Sequence, residues 1–290
     1  MQQNIIVMED SRTLRAFGRK ALQGHWKTAF LGVLLYTLLA QVPALIWSNT
    51  LDYEALYAAR YFEEIPAEFV TYMSGINVYS LLVSGPLTFG LTSFIMGIFR
   101  RRQVRPLEVF YGFEKFGKTF ALSFMIGLFT FLWSMLFVIP GIVAAYRYSM
   151  AYYILADHPE IGVMEAIRRS KVMTQGNKAK LFCLEFSFIG WSFLLGLISS
   201  LFTTILPELG LAVELILTIL LTCYTQASIT AYYEIAAGHL QRRTAAPATA
   251  YGAAQAAPAA EAPAEPAPAA EAPAEPAPAE EAPAEENKAE

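Results

Sequence analysis

The sequence is short of charge and of the patterns that build catalytic centres. Only 16% of its 290 residues are charged, whereas soluble domains carry about 25%. It has three histidines and two cysteines, and none of them stands in a pattern such as HExxH or CxxC. The sequence also lacks glycine-rich phosphate loops and the GxSxG pattern of serine hydrolases. We therefore expect no bound metal, no cofactor and no enzymatic activity.

Apolar residues are abundant instead, at 55% of the chain. A helix needs about 20 apolar residues to cross a membrane. Five regions qualify by length or hydropathy, at roughly 26 to 47, 76 to 99, 119 to 156, 181 to 206 and 209 to 237. The third region is too long for one crossing, since a helix of that length would measure about 57 Å against a hydrocarbon core of about 30 Å.

The third region contains its own break. In "FVIPGIVAAYRYSM" Pro140 lacks a backbone donor and Gly141 permits conformations that a helix interior forbids. We therefore predict separate helices at 119 to 138 and 141 to 156. The stretch "TTILPELG" predicts a similar turn between the last two apolar regions. The expected fold is all-α, a polytopic membrane bundle of six transmembrane helices in three hairpins.

Lysine and arginine predict the orientation of this bundle. Clusters of basic residues precede the first span and follow the second, fourth and sixth, whereas Arg60 alone falls on the opposite side. Because basic loops stay in the cytoplasm, both termini should be cytoplasmic. The predicted membrane domain covers residues 1 to 243.

The rest of the chain, residues 244 to 290, is rich in alanine, proline and glutamate. It holds nine glutamates and one lysine and almost no large apolar side chains. Such a segment cannot bury enough apolar surface to offset its ordering entropy. We expect a disordered cytoplasmic tail, which is either an inert extension, a cell-wall spacer or a docking segment for a partner.

Cytoplasmic segments ahead of the first and fifth spans predict amphipathic helices on the membrane surface. The first is "SRTLRAFGRKALQG". The second is "DHPEIGVMEAIRRSKVMTQG", with Asp157 as its N-cap. Their basic residues should contact anionic lipid headgroups. These are Arg12, Arg15, Arg19 and Lys20 in the first helix, and Arg168, Arg169 and Lys171 in the second.

Similar glycine, lysine and aromatic patterns precede each odd-numbered span, in "GHWKTAF", "FGKTF" and "GNKAKLF". They predict three units, each a surface helix followed by a hairpin of two spans. The alternative is that these residue types gather at membrane boundaries without any repeat.

Charged residues inside the spans are the candidate site. Such a residue costs about 2.5 to 3.5 kcal/mol at the centre of a span, so it usually has a partner. Arg147 and Glu214 lie roughly 10 Å and 7 Å from the outer turns of their hairpins, and we predict that they pair. The pair either fixes helix register or forms an anion or headgroup site. Glu185 is a second intramembrane acid, nearer the cytoplasmic end.

Several stretches of the chain resemble a known family. They are "ALQGHWKTAF", "SGPLTFG", "VIPGI", "YYILADHPEIGVMEAIRRSKVMTQGNK" and "FSFIGW". Together they resemble domain-of-unknown-function family 975, which consists of bacterial integral membrane proteins. The resemblance covers residues 12 to 238 and implies a multi-pass protein of the bacterial plasma membrane, but it brings no activity.

We therefore expect an integral membrane protein that associates with lipids and is not an enzyme. Its expected partners are membrane lipids, with anionic headgroups on the cytoplasmic face, and no nucleic acid. The alternative is a transporter or flippase of a small or amphiphilic anion that uses Arg147 within the bundle.

Overall fold

The computed structural model describes residues 5–48 and 67–240, and every regular element in these two ranges is a helix. The predicted all-α class is confirmed for this part of the chain. The predicted tail from 244 to 290 and the loop that carries Arg60 lie outside the described residues.

Ten α-helices and one 3-10 turn make up the described fold. The α-helices are α1 Ser11–Leu22, α2 Trp26–Ser48, α3 Ala67–Phe99, α4 Tyr111–Glu114, α5 Phe116–Leu136, α6 Val138–Tyr148, α7 Ala151–Asp157, α8 Val163–Met173, α9 Lys178–Ile205 and α10 Pro207–Ala236. The 3-10 turn, Pro106–Phe110, precedes α4.

Four segments in the described residues are long and apolar enough to cross a membrane. They are Phe69–Phe99, Phe116–Leu136, Lys178–Ile205 and Ala212–Ala236. They match the second, third, fifth and sixth predicted spans, and they identify a membrane protein. The predicted fourth span, 141 to 156, is not one continuous helix, because the chain breaks between α6 and α7 at Ser149 and Met150.

The turn between α5 and α6 lies earlier than predicted. Phe137 is the extended residue at the corner, with φ −161° and ψ 154°. Pro140 and Gly141 lie inside the first turn of α6. Backbone N–H groups in the first turn of a helix have no carbonyl partner within that helix, so the missing N–H of proline costs no helical hydrogen bond there. Gly141 instead allows close approach, because a Cβ there would overlap the side chain of Ser134.

The turn between α9 and α10 repeats this construction and lies where the sequence predicted it. Leu206 is the corner residue, and Pro207 is the first residue of α10. Gly210, four residues after the corner, packs against Thr203, three residues before it. Gly141 and Ser134 have the same spacing from Phe137, so the two hairpins are built alike.

The glycine and proline residues of "SGPLTFG" make one side of α3 a close-packing surface. A Cβ at Gly85 would lie 2.6 Å from the carbonyl oxygen of Thr119 in α5. Gly90 contacts the carbonyl of Val109, and Gly112 contacts the carbonyl of Pro86. The 3-10 turn and α4 therefore pack directly on the backbone of α3.

The N-terminal helix α1 packs on protein along its apolar side. Leu14 and Leu22 are fully buried, and a Cβ at Gly18 would lie 2.8 Å from the backbone nitrogen of Ser228 in α10. The prediction of a helix whose apolar face enters the membrane surface is corrected, because that face is already covered by α10.

The chain ahead of α1 is fixed by Asn177, which lies between α8 and α9. The amide nitrogen of Val7 donates to Asn177 Oδ1 at 2.9 Å, and Asn177 Nδ2 donates to the carbonyl of Ile5 at 2.7 Å.

Gly24 and Gly176, which precede α2 and α9, both have a left-handed backbone, with φ of 83° and 81°. Two of the three predicted units therefore share this turn.

The other predicted surface helix starts later than expected. Asp157 is the last residue of α7 rather than the N-cap of the next helix, and α8 begins at Val163 after Gly162. The Asp157 side chain is not available for capping, because it is bound by Arg100.

Candidate functional site

A cluster of charged residues joins the ends of α3, α7 and α10. Arg100 Nε contacts Glu234 Oε1 at 2.6 Å, and its Nη1 contacts Asp157 Oδ1 at 2.7 Å. Tyr233 donates its hydroxyl to Asp157 Oδ2 at 3.0 Å, and His239 Nδ1 lies 3.0 Å from Glu234 Oε2. We call these five residues the arginine clamp.

The arginine clamp is held by strong, partly buried electrostatics. Burial by itself would raise the pKa of the Asp157 carboxyl, but the hydrogen bond and charge of Arg100 outweigh burial and hold that pKa below its ordinary value. Burial likewise opposes the charge of Arg100, yet Asp157 and Glu234 raise its pKa. Glu234 has only 5% of its side chain exposed, so it depends on Arg100 for its charge partner.

Sequence reasoning missed the arginine clamp. It counted Arg100 among the topology-setting basic residues and took Asp157 for a helix cap. The partners of Arg100 lie 57 and 134 residues away along the chain, and no local spacing connects them. The available signal was Glu234, an acid that stands among apolar residues near the end of the last span.

The structure does not bring Arg147 and Glu214 together. The backbone carbonyl of Arg147 accepts a hydrogen bond from Ser170 at 2.9 Å, while Glu214 accepts one from Ser199 at 3.3 Å. Tyr146, beside Arg147, donates to Glu185 at 2.7 Å. Since Glu185 and Ser199 are 14 residues apart on α9, Arg147 and Glu214 lie at levels that differ by about 21 Å along that helix.

The reason is that the two outer turns do not lie at one level. Tyr146 is about 12 Å along α6 from its start, whereas its partner Glu185 is about 30 Å along α9 from Ile205. Arg147 and Glu214 therefore lie at similar distances from their own turns, but the turns are at different levels and the two side chains are far apart.

A polar groove of about 470 Å³ lies between α9 and α10. Glu185 lines one end and Glu214 the other, with hydroxyl and amide side chains between them and leucine and phenylalanine completing the walls. The hydroxyl and amide residues are Ser192, Ser199, Thr218, Thr222, Thr225 and Gln226. We call this space the acidic groove.

A second cavity, of about 540 Å³, lies between α5, α6 and α8. Its apolar walls come from Phe129, Tyr148, Met164 and Ile167, and its charged residues are Glu165, Arg168 and Lys171. We call this space the basic cavity. Its three charged residues, together with Met164 and Ile167, lie on α8, one of the two helices that the sequence assigned to lipid contact.

Glu165 organises the arginines beside the basic cavity. Its carboxylate contacts Arg169 Nε at 2.8 Å and Arg168 Nη2 at 2.5 Å. The hydrogen bond from Arg169, followed by that from Arg168, lowers the pKa of the Glu165 carboxyl below its ordinary value. Both arginines are thereby held on the same side of α8, with 75% of the Arg168 side chain exposed.

The basic residues of α1 are arranged differently. Arg12, Arg19 and Lys20 are exposed, and the Arg15 guanidinium lies 6.0 Å from the centre of the Phe188 ring. Within 5–48 and 67–240, no three histidine, cysteine, aspartate or glutamate side chains are placed to hold a metal ion.

The comparisons with known proteins give a family and no activity. The family described as "Protein of unknown function (DUF975)" matches the chain over residues 8–144 and 135–238. No curated protein and no solved structure matches the sequence.

Proposed function

The chain belongs to this family of proteins of unknown function, and we propose that it is a non-enzymatic protein of the bacterial plasma membrane which binds anionic lipid at its cytoplasmic face. The proposed topology has six crossings with both termini in the cytoplasm. α2 makes the first crossing, and α6 and α7 together make the fourth.

The basic cavity is the observation that carries the proposal. Apolar walls and basic groups occur together there, as a lipid requires for its chains and its phosphate. Arg168 and Lys171 stand beside Phe129 and Met164, and Met164 is 58% exposed. Each basic residue at a membrane surface contributes about 1 kcal/mol to the binding of anionic lipid.

The neighbouring basic helix α1 supports this choice of site by contrast. Arg12 and Arg19 are exposed, but Leu14 and Leu22 are fully buried in the protein and do not face the lipid. Peripheral attraction of headgroups to α1 is therefore purely electrostatic, whereas the basic cavity adds apolar contact.

Anion transport through Arg147 draws less support from the structure. Arg147 lines neither the basic cavity nor the acidic groove. The acidic groove lies between α9 and α10, two of the long apolar helices, and its carboxylates repel an anion.

Lipid retention tests the proposal. The full chain is placed in nanodiscs of phosphatidylglycerol and phosphatidylcholine, and retained lipid is measured by native mass spectrometry after release. The double variant Arg168→Gln/Lys171→Gln should retain phosphatidylglycerol about 30-fold more weakly, the factor that corresponds to about 2 kcal/mol.

The matched control is Arg12→Gln/Arg19→Gln, which removes the same charge from α1. It should weaken the retention of phosphatidylglycerol by a smaller factor, because α1 attracts headgroups by charge alone and adds no apolar contact with the lipid. Equal retention by all three proteins, or a loss confined to the α1 variant, would contradict lipid binding in the basic cavity.

A further inference from the structure

The acidic groove has the wrong charge for the anionic lipid assigned to the basic cavity. Two carboxylates, Glu185 and Glu214, line it, and its lining residues include no lysine, arginine or histidine. We propose that the acidic groove is a separate intramembrane binding site for an amphiphilic organic cation, such as an amine with an apolar body.

The charge argument starts from the cost of an acid inside a span. An ionised side chain in the hydrocarbon region requires a partner or water. Glu214 accepts a hydrogen bond from Ser199 at 3.3 Å, and Glu185 accepts one from Tyr146 at 2.7 Å. Because an ionised carboxylate can accept about four hydrogen bonds, both acids keep capacity for a cationic ligand.

The size and shape favour an organic cation over a metal ion. A volume of about 470 Å³ falls in the range of 300 to 1,000 Å³ that is usual for small-molecule sites. Glu185 and Glu214 are about 21 Å apart along α9, so they cannot ligate one metal ion together. Each acid can instead bind the ammonium group at a different stage of entry.

The walls suit a molecule with an apolar body. Leu217 and Leu221 alternate with Thr218 and Thr222 along α10, since residues three and four apart share one face of a helix. The groove therefore offers leucine side chains to the body and hydroxyl groups to polar substituents.

The end at Glu185 is the closed end and the site where the cation stays. Tyr146 donates to Glu185, and Tyr153 donates to Gln226 at 3.3 Å, so two tyrosines from α6 and α7 border this end. Glu214, by contrast, is exposed and lies close to the turn between α9 and α10. The cation therefore meets Glu214 first and is held at Glu185.

Two lipophilic probe ions of opposite charge test the site. The full chain is placed in nanodiscs of phosphatidylcholine alone, which removes competition from anionic lipid. Equilibrium dialysis then compares tetraphenylphosphonium, a cation, with tetraphenylborate, an anion of similar size. The protein should bind the cation saturably and above the level of empty nanodiscs. Binding of the anion should not exceed the level of empty nanodiscs.

Two variants assign the binding to the groove. Glu185→Gln should weaken binding of tetraphenylphosphonium about tenfold, or about 1.4 kcal/mol, and it keeps an oxygen acceptor for Tyr146. Glu214→Gln should weaken it by a smaller factor, since this acid is exposed. Glu160→Gln, which removes an exposed cytoplasmic carboxylate, should leave binding unchanged.

Each contrary result overturns the proposal. Binding of the cation no greater than to empty nanodiscs would do so, as would equal binding of both probes. Equal binding by the unaltered protein and by Glu214→Gln/Glu185→Gln would place the cation elsewhere. Because the nanodiscs contain no anionic lipid, none of these results depends on the basic cavity.

Discussion

The two halves of the longest helices have opposite surroundings although both halves are apolar. In α3, Phe94 is fully buried, whereas Val78 is 57% exposed. In α10, Tyr232 is fully buried and Ile216 is 47% exposed. We call the buried part, which includes the arginine clamp, the inner half, and the part toward the two hairpin turns the outer half.

The outer half exposes more large apolar side chains than the surface of a protein in water normally does. Around the turn of α5 and α6, Phe131 is 60%, Met135 73% and Ile139 74% exposed. A contiguous surface of this kind marks contact with lipid or another apolar partner. The inner half, by contrast, is packed by protein and holds buried charges, so hydrophobicity alone does not tell which surroundings an apolar helix has.

The largest effect should come from breaking the arginine clamp. Arg100→Met would leave the carboxylates of Glu234 and Asp157 without their cation, and removal of one partner of a buried ion pair costs about 3 to 5 kcal/mol. The free energy of unfolding in detergent should fall by about the lower of these values, because Arg100 is 31% exposed. Denaturant titration measures it.

The neighbouring Arg102, which is exposed, is the control for this change. Arg102→Met removes the same charge two residues away and should leave the free energy of unfolding nearly unchanged. If both variants lose the same stability, the arginine clamp does not hold the inner half together.

A smaller effect is expected from adding one methyl group to a glycine in each half. Gly90→Ala should destabilise the protein by about 2 to 3 kcal/mol, because the new Cβ meets the backbone carbonyl of Val109. Gly190→Ala in the outer half meets no atom within 4 Å and should be neutral or stabilising, since alanine favours the helix. Thermal unfolding of both variants in nanodiscs makes the comparison, and equal losses would contradict the difference in packing.

The smallest effect concerns pH and the carboxyl group of Asp157. Its pKa in the folded protein lies below its ordinary value of 3.8, so its contribution to stability is present above that value and is lost as the pH falls through the folded pKa. The stability difference between the unaltered protein and Asp157→Asn should therefore be constant near neutral pH and shrink below about pH 4. A difference that stays constant to pH 3 would show that the charge of Asp157 does not stabilise the fold.

Much of the fold could be predicted because its signals are local. Apolar length located the long helices α3, α5, α9 and α10, and the proline in "TTILPELG" located the second hairpin turn. The first turn was misplaced by a few residues, since the sequence alone does not tell whether Pro140 ends one helix or stands in the first turn of the next.

The candidate sites were harder to predict because they depend on contacts between distant segments. The apolar stripe of α1 is the same whether it faces lipid or α10, and only the packing of Gly18 on Ser228 decides between them. Glu185 and Glu214 were recognised as unusual residues, but the groove that joins them needs the register of α9 against α10. That register was inaccessible while both outer turns were assumed to lie at one depth.

Photolabelling from the lipid phase tests the division into two halves most directly. The full chain in nanodiscs is irradiated with a phospholipid that carries a diazirine in its acyl chain, and labelled peptides are mapped by mass spectrometry. We predict label in 131 to 143 and in 189 to 202, and none in 87 to 98 or in 230 to 236. Equal labelling of these four segments, or label confined to 87 to 98 and 230 to 236, would contradict the account.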